Sequence, residues 1–160
     1  MKYRVSQKIF SLGDKFTIKN ELNTDCYNVV GQIFSFGNKL RLYDMAGREL
    51  FYIEQKLFRF LPEYYIFSEN NEVAKVRKEF TFFKPAFSIT SRYGNIIIQG
   101  NVFAHEFTIS VNGKVMARVS KEWFSFRDSY GVDISDDLDH AFILALIIVI
   151  DQTLYDGKRN

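Results

Sequence analysis

Few residues of this chain could carry chemistry: it has one cysteine, Cys26, and two histidines, His105 and His140. A nucleophile needs a base within hydrogen-bonding reach, and a zinc site needs several ligands at a recognised spacing. Neither histidine lies in a nucleophile motif or beside a glycine-rich phosphate loop. One cysteine and two distant histidines also do not form a metal-ligand pattern. We therefore expect a protein that is not an enzyme and that uses no cofactor.

Four aspartates form the cluster that could bind a cation, just before the apolar C-terminal segment. They are Asp133, Asp136, Asp137 and Asp139. Their spacing differs from that of a calcium loop, which needs D-x-D-x-D-G with glycine at the sixth place. Aspartates before a helix can instead cap it and complement the positive end of its dipole. Capping is therefore favoured over a metal site.

Basic residues are the other candidates for binding. The formal net charge of +2 is too small to indicate a nucleic-acid partner. If the chain forms up-and-down strands, however, acidic residues collect at one end and basic residues collect along the outer wall. A basic wall suits an anionic headgroup or a phosphate, whereas lysines that only keep a surface soluble are the plain alternative. The candidate ligand-binding residues are Arg41, Lys56, Arg59, Lys75, Arg77 and Arg118.

A repeat with a period of about 23 residues indicates which elements position these side chains. In five gapless copies the third, sixth, tenth and twelfth positions are apolar, and the eighth is Asp, Asn or Pro. Each copy therefore reads as strand, tight turn, strand. "GNVFAHEFTI" from Gly100 is a shortened sixth copy with His105 and Glu106 in the turn. The five full copies are "QKIFSLGDKFTI" from Gln7, "GQIFSFGNKLRL" from Gly31, "QKLFRFLPEYYI" from Gln55, "KEFTFFKPAFSI" from Lys78 and "KEWFSFRDSYGV" from Lys121.

The connections between copies are also turn signals, the strongest being Asn112-Gly113. Six hairpin units over residues 7–134 predict about twelve antiparallel strands. The chain is thus expected to be all-β, apart from one helix.

The segment "AFILALIIVI", residues 141–150, is apolar without a break. Ten helical residues span roughly 15 Å, about half of the hydrocarbon layer of a membrane. A helix that is apolar on every face must be buried on every face, and a barrel of eleven strands can already enclose one. We predict a core helix over residues 136–155, capped by Ser135 or Asp136, inside a closed twelve-stranded antiparallel β-barrel.

Several of these segments resemble the LURP-one-related family, of the Tubby C-terminal-like superfamily that also contains the phospholipid scramblases. The most specific are "KEWFSFRDSYGVDI" and the helix segment, and the resemblance covers residues 1–160 as a single domain. It implies a twelve-stranded barrel closed around a C-terminal hydrophobic helix. The "DLD" at residues 137–139 resembles the acidic segment before the scramblase helix. Tubby relatives bind phosphoinositides, but none of their binding residues can be matched to this chain.

The function that these observations favour is a soluble, non-enzymatic binding module for an anionic phospholipid headgroup or a protein partner. A membrane-active, scramblase-like protein, whose C-terminal helix leaves the barrel and inserts, is the alternative. No intrachain disulfide can form with Cys26 alone, and the charged start "MKYRVSQKIF" lacks the apolar run of a secretion signal. We expect a cytoplasmic location, with peripheral association at the membrane as an extension, no nucleic-acid partner and no transmembrane span.

Overall fold

A computed structural model describes residues 1–6, 15–34, 37–57, 60–124 and 128–159. Within these ranges the chain forms twelve strands followed by one helix. The elements are β1 (Lys2–Ser6), β2 (Lys15–Asn20), β3 (Asp25–Phe34), β4 (Gly37–Asp44), β5 (Glu49–Gln55), β6 (Glu63–Ser68), β7 (Asn71–Lys78), β8 (Phe87–Ser91), β9 (Ile96–Asn101), β10 (Glu106–Val111), β11 (Lys114–Ser120), β12 (Ser129–Ile134) and α1 (His140–Arg159).

Alternating side chains decide which face of each strand is buried. In β4, Leu40 and Leu42 are buried in the interior, whereas Lys39, Arg41 and Tyr43 lie on the outer face. This period of two is the signature of a sheet with one face on the core and the other in water. The outer face is therefore where the polar candidates of the sequence lie.

The twelve strands form one antiparallel sheet that curls into a nearly closed barrel. Strands that follow one another in the chain pair with each other, except β8 and β9, and β1, the first strand, pairs with β12, the last. No ladder joins β8 to β9, although these two described strands lie against each other. The predicted twelve-stranded antiparallel barrel is confirmed, with this one seam.

Two kinds of connection define the two ends of the barrel. The corner end is formed by the connections within hairpin units, among them the β5–β6, β7–β8, β9–β10 and β11–β12 connections. The exit end is formed by the connections between units and by residues 135–139, which lead into the helix. At the exit end Asn112 and Gly113 have φ of 51° and 84°, as the predicted Asn-Gly hairpin requires. At the corner end His105 lies in the β9–β10 turn, and Glu106 begins β10.

The helix α1 lies inside the barrel, as predicted. Every residue from Ala141 to Leu154 is buried, and Leu144 to Ile150 have no exposed surface. No helix in the described part of the chain has both the length and the apolar character needed to cross a bilayer.

The helix begins later than the sequence suggested, at His140 rather than at residue 136, and it extends to Arg159. Residues 135–138 form a turn instead, closed by a hydrogen bond from the Leu138 amide to the Ser135 carbonyl. Asp139 is the cap, because its Oδ1 accepts a hydrogen bond of 3.1 Å from the Phe142 amide. The expected caps Ser135 and Asp136 were therefore wrong.

Candidate functional site: a basic and aromatic outer wall

Cations and aromatic rings lie next to one another on the outer face of strands β4, β5 and β6. Arg41, Tyr52 and Phe67 are successive cross-strand partners. The Arg41 guanidinium lies 4.5 Å from the centre of the Tyr52 ring, and the Tyr52 and Phe67 rings lie 5.9 Å apart. Such cross-strand pairs stabilise a sheet, and a cation over a ring is held in place by the ring's negative face.

A second row runs beside the first, towards β7. Tyr65 pairs with Lys75 across the β6–β7 ladder, and the Lys56 ammonium lies 5.3 Å from the centre of the Tyr65 ring. The Tyr65 ring contacts Phe67 edge-on at 6.3 Å, which connects the two rows. We call the cations of this surface, Arg41, Lys56, Lys75 and Arg77, together with its rings Tyr52, Tyr65 and Phe67, the basic wall.

Three cations of the basic wall have acidic neighbours. Arg41 Nε lies 3.0 Å from Glu49 Oε1, Lys75 Nζ lies 3.8 Å from Glu63 Oε1, and Arg77 Nη2 lies 3.6 Å from Glu79 Oε1. The three cationic side chains remain about half exposed. Glu63 is buried, whereas both members of the Arg41–Glu49 and Arg77–Glu79 pairs are exposed. Exposed ion pairs contribute about 0 to 1 kcal/mol, so a phosphate group can compete for these two arginines.

Tyr52 is held as a neutral phenol within this charged surface. Partial burial, together with the nearby Glu54 carboxylate, raises the pKa of Tyr52, and Arg41 offsets only part of that effect. The ring therefore adds no negative charge that would repel an anion.

A shallow groove of about 290 Å³ adjoins the basic wall on β3 and β4. Its volume is near the lower end of the range for small-molecule sites, and two of its side chains are cationic. A headgroup bound there would meet Arg41 directly. The groove is lined by Val30, Gln32, Lys39, Arg41 and Tyr43.

The structure brings four of the six candidate residues together and separates a fifth. Arg41, Lys56, Lys75 and Arg77 lie on or beside the adjacent strands β4 to β7. Arg118 lies on β11, opposite Asp133 in the register, in a different cleft of about 520 Å³. Arg59 is outside the described residues.

The acidic run is engaged with other parts of the protein. Asp133 and Asp136 lie 3.5 and 3.7 Å from the Met1 ammonium, and Asp139 caps the helix. Asp137 is exposed. Across the described ranges, no group of three or more His, Cys, Asp or Glu side chains could hold a metal ion.

His105 belongs to a buried polar cluster that anchors the far end of the helix. Its Nε2 lies 2.9 Å from Asp151 Oδ1, and its ring stacks on Tyr130 at 4.4 Å. The Tyr130 hydroxyl donates to the other oxygen of the same carboxylate. Burial and the Asp151 carboxylate raise the pKa of Tyr130 well above its usual value, so this hydroxyl keeps its proton.

His140 anchors the near end of the helix. Its Nε2 lies 3.0 Å from the Ser135 carbonyl, which can only accept, so Nε2 carries a hydrogen. In the neutral imidazole Nδ1 then accepts from the Tyr3 hydroxyl, 2.7 Å away. Burial raises the pKa of Tyr3, so this hydroxyl keeps the proton that it donates. Both histidines therefore fasten α1 to the barrel.

Sequence reasoning missed the polar cluster and the aromatic part of the basic wall. A signal for the cluster existed, because Asp151 is the first charge after ten apolar residues, and a buried charge needs partners. The three rings of the wall occupy outward positions of their strands, where alternation alone does not explain an apolar side chain.

Residues 1–151 match the model of the LURP-one-related family. The chain belongs to the LURP-one-related family. Uncharacterized protein YxjI from Bacillus subtilis (strain 168) is 37% identical to this family member over 154 residues, which cover 96% of this chain and 94% of that protein.

This LURP-one-related chain also resembles an X-ray structure of a protein from Arabidopsis thaliana. The TM-score is 0.66 at 14% sequence identity, with 94% of this chain and 90% of that one covered. At that identity the likeness concerns the fold alone. The family resemblance found in the sequence is confirmed.

Proposed function

We propose that the protein is a non-enzymatic binding module whose basic wall binds the phosphate of an anionic phospholipid headgroup. The observation that carries this proposal is the pair of cation–ring contacts on the outer wall, Arg41 over Tyr52 and Lys56 over Tyr65. Cations supply the attraction for a phosphate, and the rings hold the cationic side chains in position.

A binding role is favoured over catalysis because the groups suited to proton transfer are occupied elsewhere. His105 and His140 both contact the ends of the buried helix, through Asp151 and through Tyr3. Neither lies on the basic wall. A general base has to reach the proton that it removes, and the cations of the wall cannot act as one at neutral pH.

The scramblase-like alternative requires the helix to leave the barrel. That movement would expose fourteen consecutive buried residues and the interior strands facing them. It would also break the His105–Asp151–Tyr130 cluster and the His140–Tyr3 contact. We therefore infer that the helix stays inside when the ligand binds.

Vesicle co-sedimentation at low salt tests the proposal. Each cation near an anionic surface contributes about 1 kcal/mol, so changing Arg41, Lys75 and Arg77 together to Gln should weaken binding to acidic vesicles roughly a hundredfold. Arg92, Lys114 and Arg118, changed together to Gln, form a control with the same net charge but an intact basic wall. The control should bind nearly as well as the parent.

Three outcomes contradict the proposal. Equal losses in both triple variants would indicate attraction by net charge alone, since only the location of the cations differs. No loss in the wall variant would place binding elsewhere. A parent protein that ignores acidic vesicles at low salt would make a protein partner the better hypothesis, because screening is weakest there.

A further inference from the structure

Phenylalanine side chains project into solvent at the corner end of the barrel. Phe82 and Phe83 in the β7–β8 connection are 85% and 95% exposed, and Phe60 in the β5–β6 connection is 90% exposed. Phe80 and Phe103 are also more than half exposed. Among the described residues, every phenylalanine with such exposure lies at this end.

The fold brings two of these rings into contact and places the others in connections at the same end of the barrel. The Lys78 amide, at the end of β7, donates to the Pro62 carbonyl at 3.0 Å, which joins the end of β7 to the β5–β6 connection. The Phe80 and Phe82 rings meet edge-on at 5.3 Å. We call Leu57, Phe60, Phe80, Phe82, Phe83 and Phe103 the phenylalanine tip.

Local hydrogen bonds hold the β7–β8 connection in a shape that keeps Phe82 and Phe83 outside. The Glu79 amide donates to the Ala86 carbonyl at 2.7 Å, and the Thr81 hydroxyl donates to the Lys84 carbonyl. The backbone at the base of the connection is therefore satisfied without burying either ring. Exposed rings add little to folding, and clustered exposed apolar surface is typical of an interaction site.

The charges around the phenylalanine tip favour a bilayer as the occupant. Lys56, Lys78 and Lys84 lie in or beside the same two connections, and Glu79 is paired with Arg77. A second copy of the chain facing this tip would bring these lysines against their own equivalents. An acidic membrane instead offers phosphates to the lysines and an apolar layer to rings that need no matching groove.

We infer that the corner end docks on acidic membranes by inserting the phenylalanine tip between the headgroups. This inference extends the proposed function, because Lys56 and Arg77 of the basic wall lie at the corner-end limits of their strands. The electrostatic contribution of the wall and the apolar contribution of the tip are separable by salt, since only the first is screened.

Vesicle binding of two matched double variants tests the inference. Phe82→Ser with Phe83→Ser should lower the partition coefficient on vesicles of phosphatidylcholine with phosphatidylserine by at least about tenfold at low salt. It should also abolish the binding that the parent retains at about 0.5 M salt, where charge attraction is screened. Leu22→Ser with Met45→Ser removes exposed apolar side chains from the exit end and should change neither quantity. All variants should melt like the parent, because the altered side chains are exposed.

The results distinguish the inference from the proposed function. If the phenylalanine variant binds like the parent while the basic-wall variant loses binding, the inference is wrong and the proposed function stands. The reverse pattern supports insertion and contradicts a role for the wall. If the parent ignores vesicles but dimerises, and the phenylalanine variant is monomeric, the tip is an interface between copies and the inference is wrong.

Discussion

Both ends of the barrel reverse the chain between strands, but they do so with different kinds of residue. At the exit end short turns are closed by their own polar side chains: Asp44 Oδ1 accepts from the Ala46 and Arg48 amides, and Asn20 Oδ1 accepts from the Leu22 amide. At the corner end the β5–β6 and β7–β8 connections are longer and carry all of the phenylalanine tip except Phe103. Turn chemistry explains the residues of the exit end, whereas the exposed rings of the corner end have no role in forming a turn.

The two ends of the helix differ in how deeply their polar anchors are buried. At the exit end it is capped by Asp139, an exposed residue that also accepts from the Tyr93 hydroxyl. Near the corner end it is held by Asp151, which is only 9% exposed and is bound by His105 and Tyr130. The end with the most exposed apolar surface thus has the most deeply buried polar anchor, which fixes the barrel beneath the phenylalanine tip.

The largest loss of stability is expected for substitutions in the middle of the helix, on which both ends of the barrel depend. Leu146→Asp or Ile147→Asp would place an unpaired charge at a position with no exposed surface. That costs several kcal/mol, comparable with the whole stability of a domain of this size. These variants should be insoluble or unfolded, whereas Leu22→Asp, at a position 81% exposed, should be tolerated. Normal folding and melting of the helix variants would show that the helix is not enclosed.

A smaller effect should distinguish the two helix anchors. Asp151→Ala leaves His105 and Tyr130 without their buried carboxylate and should lower the free energy of unfolding by about 3 kcal/mol. Asp139→Ala removes an exposed cap and should cost about 1 kcal/mol. Urea unfolding measures both. Equal losses would mean that the buried cluster is no stronger than an ordinary cap.

The sequence predicted the strands and the enclosed helix because those depend on periodicity. The tenth and twelfth positions of every full copy lie in strands, as predicted. Leu57, Phe80 and Trp123, at third positions, lie in connections instead, so the first strand predicted for those copies was wrong. The apolar run of residues 141–150 allows only a buried location. The polar anchors were not predicted, since His105 and Asp151 are 46 residues apart and meet only once the barrel exists. The phenylalanine tip was missed for a related reason: Phe80 and Phe83 were assigned to the apolar periodicity of their copy, and only the structure shows them in a connection.

Alkaline pH should destabilise the fold through tyrosines at both ends. Burial, with the Asp139 carboxylate nearby, raises the pKa of Tyr93 to about 12, and the pKa of Tyr130 is also raised. A raised pKa in the folded state favours the protonated phenol, so this stability is intact below pH 10 and is lost as the pH rises towards 12. Urea unfolding between pH 8 and 12 should show the decline, and Tyr93→Phe should make it shallower. A flat profile would contradict the burial of these hydroxyls.

At the acidic exit end we expect calcium to have no effect on stability. If the aspartates serve as a cap and as partners of the Met1 ammonium, millimolar calcium should leave the melting temperature unchanged, because only ligands that bind the native state stabilise it. Differential scanning fluorimetry with and without calcium measures this. A calcium-dependent rise that disappears in Asp137→Asn with Asp139→Asn would identify a metal site instead.

The contrast between the two ends is tested most directly by measuring the depth of one tryptophan in a membrane. The chain has a single tryptophan, Trp123, so Phe83→Trp and Leu22→Trp, each combined with Trp123→Phe, place one probe at the corner end or at the exit end. On acidic vesicles containing brominated lipids, the probe at position 83 should be quenched and blue-shifted, and the probe at position 22 should remain as in water. Quenching at position 22, or equal exposure of both probes in a vesicle-bound protein, would contradict the assignment of the corner end as the membrane-binding face.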